Sequence, residues 1–98
     1  MHWHHDSAVV DDGAVIGEGS RVWHFSHVCA GARIGADCSL GQGVFVGNDV
    51  VIGNNVRIHC DCHVTQFVTL EDDVFLAVGV TTSNDVYPLQ EEAAAHRE

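Results

Sequence analysis

The chain has 98 residues, a formal net charge of -10, no lysine and four arginines, Arg21, Arg33, Arg57 and Arg97. That length allows one domain with a modest core. The acidic balance excludes a nucleic-acid backbone and an anionic membrane surface as partners, since both need a basic face, but it allows a small anionic ligand held by a few arginines.

The N-terminal stretch MHWHHDSAVV has no basic region followed by an apolar one, so it does not read as a signal peptide. No apolar run is long enough to span a bilayer. A cytoplasmic protein is the expectation, and Cys29, Cys38, Cys60 and Cys62 are expected as reduced thiols there.

From Val10 the sequence repeats every six residues. The first positions, from Val10 and Ile16 through to Leu70 and Leu76, are all Ile, Leu or Val, and the fifth positions, from Ala14 to Val80, are all small or β-branched. Two inward positions per hexad give a thin core lined by one large and one small side chain. All ten glycines fall at the second or fourth position. The fourth position is Gly, Asp or Asn except at Phe25 and Phe67. Those three types tolerate positive φ, so the fourth position is the corner where each short strand turns. A period of six cannot make a helix, whose apolar period is 3.6; it suits a solenoid of parallel strands.

Residues eighteen apart are expected to stack in neighbouring coils, about 4.8 Å apart. This groups His4, His5, Trp23, His24, His27, Gln42, Phe45, His59, Cys60 and His63 on one face. A wall of His, Trp and Phe is not what solvent selects, so that face reads as a subunit interface, a ligand groove, or both. Within it the stretch HCDCH, with His27 in the same column as His63 and two coils away, invites a zinc reading through His27, His59 and His63. Cys62 sits at an inward position and Phe45 stands between His27 and His63, so no metal is the primary expectation. The beat stops at SNDVYP (83–88), which holds the only proline. A solenoid ejects a loop where side chains must reach beyond its wall. The tail LQEEAAAHRE is helix-prone.

The repeat [LIV]-G-x-x-[STAV]-x resembles the hexapeptide-repeat acyltransferases, whose fold is a left-handed parallel β-helix with three hexads per coil. The implied architecture is an all-β single domain over 1–98, with about four β-helix coils in 4–81, an ejected loop at 82–88 and a short helix over 89–98. The stretch from Gly17 to Ile58, with VTLEDDVF (68–75) and SNDVYP, is most similar to the nucleotide-linked 3-amino-sugar N-acetyltransferases of O-antigen biosynthesis. Members transfer acetyl from acetyl-CoA to the amine of a UDP- or dTDP-linked sugar, at a site between subunits of a homotrimer. The resemblance implies Asn84 beside the reacting amine, with His24 and His27 as catalytic candidates, and Asp85, Tyr87, Trp23 and Gln42 as substrate contacts.

This chain departs from that pattern at Leu89, where Arg is common, at Val78, and through HCDCHVTQF (59–67). Relatives continue for several coils past the loop, so the chain corresponds to the front half of such an enzyme, a truncated or inactive form included. Two other functions fit the same repeat. One is a zinc-dependent protein resembling γ-type carbonic anhydrases; the other is a non-catalytic trimeric assembly module.

Overall fold

A computed structural model describes residues 2–82. Residues 83–88 of the expected loop, with Asn84, Asp85 and Tyr87, and the expected helical tail lie outside these residues. Each hexad contributes one two-residue strand, made of its sixth position and the first position of the next hexad. The sixth-position side chain faces out and the first faces in. Positions two to four turn the corner, and the fifth points back into the core.

The strands sort into three parallel sheets. The first contains β1 (Trp3–His4), β4 (Arg21–Val22), β7 (Ser39–Leu40), β10 (Arg57–Ile58) and β13 (Phe75–Leu76). The second contains β2 (Val9–Val10), β5 (His27–Val28), β8 (Phe45–Val46) and β11 (His63–Val64). The third contains β3 (Val15–Ile16), β6 (Arg33–Ile34), β9 (Val51–Ile52) and β12 (Thr69–Leu70). Successive strands therefore lie on successive faces of a triangular prism. Every pairing joins residues eighteen apart, as in Trp3 with Arg21 and His27 with Phe45. This is the all-β, left-handed β-helix of about four coils that the family resemblance implied. No helix among the described residues is long and apolar enough to cross a membrane.

The core is a column of layers. Val22, Val28, Leu40, Val46 and Val64 from the first positions are fully buried, as are Val50 and Val56 from the fifth. Polar fifth positions are buried too, and each is satisfied by the next coil. Ser20 Oγ donates to the Gly35 carbonyl at 2.7 Å and accepts from the Cys38 amide at 2.9 Å. Ser26 repeats this with Gly41 and Val44. Cys38 and Cys62 donate their thiols to the carbonyls of Gly53 and Ala77. A small residue that can hydrogen-bond is as good here as a valine, because burying a polar group costs little once it is paired.

All the expected corners adopt positive φ, including Phe25 at 59° and Phe67 at 68°. At Gly35, a second-position glycine, the reason is space: a Cβ would come within 2.6 Å of the Gly53 carbonyl oxygen above it.

The structure corrects the assignment of the His-rich residues to one face. The frame was anchored on the inward residue, which is the last residue of a strand, so most of each hexad belongs to the following corner. Trp23, His24, Gln42, His59 and Cys60 lie along the prism edge between the first and second sheets. His27, Phe45 and His63 project from the second sheet itself.

Phe67 holds a backbone conformation that costs an ordinary side chain about 1–2 kcal/mol, while its ring is 64% exposed. Phe67→Asn should therefore raise the thermal midpoint by about 4–8 °C, the shift that about 1 kcal/mol gives a domain of this size. A fall in the midpoint by calorimetry would show that the ring's contacts outweigh the strain.

Candidate functional site

The edge between the first and second sheets gathers aromatic side chains in neighbouring coils. Trp3 meets Trp23 edge-on, with centroids 5.0 Å apart, and His5 lies against His24 at 3.7 Å. Higher on this edge His59 meets Phe75 edge-on at 5.0 Å. Exposed aromatic rings stacked this way expose flat apolar area at low entropy cost, a surface suited to a ring of a ligand or to another protein surface. His24 is half-buried, and among the described residues its ring makes stacking contacts and no hydrogen bond. Its ring nitrogens are therefore available. Gln42 stands one coil above His24, exposed.

The outward column of the first sheet runs Trp3, Arg21, Ser39, Arg57 and Phe75. Arg21 and Arg57 stand two coils apart, about 9.6 Å along the axis, with Ser39 between them. They line a groove of ≈ 400 Å³ together with Asp37 and Asn55. Ser39 and Arg57 also line an adjoining hollow of ≈ 150 Å³ that reaches Trp23, His59 and Cys60. The two adjoin at these shared residues, Ser39 and Arg57. One path thus leads from a pair of guanidinium groups, across a serine, to the aromatic edge. The sequence reasoning missed this path. The signal is Arg at 21 and 57 in the same column, thirty-six residues apart and outside the His-rich hexads.

His27 is elsewhere. Its Nε2 lies 3.0 Å from Asp11 Oδ2, with both side chains about two-fifths exposed. The ring of Phe45 separates it from His63, at centroid distances of 5.6 and 4.6 Å. His59 is on the edge, around the corner. Within one chain, therefore, His27, His59 and His63, the residues of the alternative zinc reading, do not converge on a single point. His24 and His27 are likewise parted by the corner, one on the edge and one on the second sheet.

The four thiols are in different environments. Cys29, Cys38 and Cys62 are buried, and Cys60 is half-buried on the aromatic edge. Burial pushes the Cys29 thiol up, and the Asp11 carboxylate beside it pushes in the same direction. A raised thiol is protonated at neutral pH and is a poor nucleophile. In a timed alkylation at pH 7 followed by peptide mass spectrometry, Cys60 should react at least about tenfold faster than Cys29. Equal rates would mean that the Cys29 thiol is open to solvent rather than buried.

The bacterial transferase hexapeptide family, in a form of six repeats, matches residues 5–48. No curated protein matches the sequence. Among solved structures, a histidine-to-alanine mutant of GDP-perosamine N-acetyltransferase from Caulobacter crescentus, in complex with CoA and GDP-perosamine, is 25% identical, with a TM-score of 0.63. The match covers 83% of this chain and 47% of that one. A histidine-to-asparagine mutant of perosamine N-acetyltransferase from the same organism, also with CoA and GDP-perosamine, matches at 25% identity and a TM-score of 0.42, over 76% of this chain and 51% of that one. The chain thus spans about half the length of these structures.

Proposed function

We propose, from the premise that this chain is a hexapeptide-repeat protein, that it takes part in acetyl transfer from acetyl-CoA to the amine of a nucleotide-linked sugar. The observation that carries this reading is the path on the first sheet, from Arg21 and Arg57 to Trp23 and His59, on a fold similar to one that holds CoA and GDP-perosamine. A nucleotide-linked sugar has two chemically distinct needs. Its diphosphate wants guanidinium forks, which match phosphate oxygens geometrically. Its base or sugar ring wants a flat apolar surface. The path offers both in sequence, in an otherwise acidic protein with four arginines.

The chemistry asks for alignment more than for reactive groups. The neutral amine nitrogen attacks the thioester carbonyl, so a C–N bond forms and the C–S bond breaks. The amine proton leaves to a base and returns to the departing CoA thiolate. His24, with free ring nitrogens on the aromatic edge, is the base we assign. Asn84 is assigned to the reacting amine, and Asp85, Tyr87, Trp23 and Gln42 to the substrate. His27, engaged with Asp11 around the corner, receives no proton-transfer step. The site works as part of a homotrimer in the cytoplasm, with the loop of one subunit reaching the wall of the next. UDP, dTDP and GDP sugars share the diphosphate that the arginines recognise.

Calorimetric titration with acetyl-CoA and with UDP-, dTDP- and GDP-linked amino sugars tests this. A nucleotide-linked amino sugar should bind, and Arg57→Ala should weaken it by about tenfold or more, as loss of a charge-assisted hydrogen bond predicts. Asn84→Ala and His24→Ala should lower turnover more than affinity. Binding of neither substrate class would sink the enzyme reading. Sugar binding that Arg57→Ala leaves unchanged would relocate the site.

A further inference from the structure

Three ligand-bearing side chains of different chemistry meet where the second sheet turns toward the third. Asp11 and Cys29 occupy the same corner position in consecutive coils, eighteen residues apart, one directly above the other. His27 is the outward residue of β5, two residues before Cys29. One ligand atom from each, the Asp11 carboxylate oxygen, a His27 ring nitrogen and the Cys29 sulfur, lies within 4.8 Å of the others. It is the one such group of His, Cys, Asp or Glu among the described residues.

Two observations separate this group from a chance cluster on an acidic surface. The first concerns Cys29. The inward thiols Cys38 and Cys62 each donate to a backbone carbonyl of the next coil, and so serve the stacking of the prism. Cys29 is 6% exposed, yet among the described residues it makes no such bond and faces Asp11 instead. The second concerns rigidity. The backbones on either side are fixed by the coil ladder: the Asp11 amide donates to Val28 and the Cys29 amide to Val46, each at 2.9 Å. The ligands are thus carried on a frame that does not have to be ordered on binding.

We propose that Asp11, His27 and Cys29 form a binding site for a zinc-like divalent ion, with a fourth position left for water or a ligand. Metal–ligand lengths of about 2.0–2.3 Å for O, N and S donors place tetrahedral ligand atoms about 3.3–3.6 Å from one another. The His27–Asp11 separation is 3.0 Å and no pair exceeds 4.8 Å, so the three atoms already lie close to the spacing a coordination shell needs. The donor set selects the ion. A thiolate and an imidazole favour zinc, cobalt or copper, and the single carboxylate is too little for calcium or magnesium. The site differs from the alternative His27, His59 and His63 set, sharing one residue with it. It stands independently of the acetyl-transfer reading, because Arg21, Arg57, Trp23 and His24 take no part in it.

The test is a cobalt titration of the full chain after chelator treatment, followed by absorbance, with zinc as competitor. One cobalt per chain should bind with a near-ultraviolet thiolate-to-cobalt charge-transfer band. Cys29→Ser should abolish that band, and Asp11→Asn should weaken binding by at least about tenfold, the scale that even loss of an outer partner reaches. Asp11→Asn is nearly isosteric and half-exposed, so it keeps the inference testable should Cys29→Ser disturb the fold; circular dichroism of each variant reports that. A histidine pair at the N-terminus could compete for the ion, since His2 Nε2 lies 3.1 Å from His4 Nδ1. The proposal is overturned by cobalt binding that lacks a thiolate band, by binding lost in His2→Ala/His4→Ala but kept in Asp11→Asn, or by no stoichiometric uptake.

Discussion

A left-handed backbone conformation at the fourth position of each hexad is the constraint from which the rest of the prism follows. It lets three residues turn the chain to the next face, so that the fifth can re-enter the core and the sixth can begin a strand. Any residue other than Gly, Asn or Asp is strained there, and the sequence supplies those three types at all but two corners. Once the corner is fixed, coils have equal length, equal length puts residues eighteen apart in register, and register closes the backbone ladder. The core needs little more than one branched and one small side chain per hexad. Its serines and cysteines are satisfied by carbonyls that the same register delivers.

This division of labour explains the surface. The inward first and fifth positions and the left-handed fourth are committed to the fold, so chemistry can vary at the sixth and third positions and at those second positions that have room for a side chain. The edge between the first and second sheets uses them for Trp, His and Gln; the face of the first sheet uses them for Arg and Ser. The corner beyond the second sheet uses them for Asp and Cys. None of these side chains is required by the stacking, and each set occupies its own strip of the prism.

The same division set what could be read from the residues. The hexad, its inward positions, its corners and the stacking interval are periodic, and a period survives without knowledge of contacts. Phe25 and Phe67 were visible as breaks in the corner pattern, and both prove to carry the corner's positive φ. The wall was harder. Counting from the inward residue merged a prism edge with half of the next face, so His24 and His27 read as neighbours although a corner parts them. Arg21, Ser39 and Arg57 went unread as a group because nothing in their local sequence marks them; only the column does. Asp11 and Cys29 were hidden in the same way, while the rings of HCDCH drew the metal question to a later coil. Periodicity determines which residues share a column, but only side-chain direction determines which columns share a space.

The eighteen-residue register also has an evolutionary side. Insertion or loss of a whole coil leaves every downstream side chain on its original strip of the prism, and the mosaic of grooves survives with a changed height. Insertion or loss of one hexad would be almost as easy for the core, since each hexad is a complete strand and corner. Yet it would turn everything downstream onto the next face, moving Arg57 away from Arg21 and His63 away from Phe45. Length variation in such a protein is therefore filtered twice: by six for folding and by eighteen for the integrity of its binding strips.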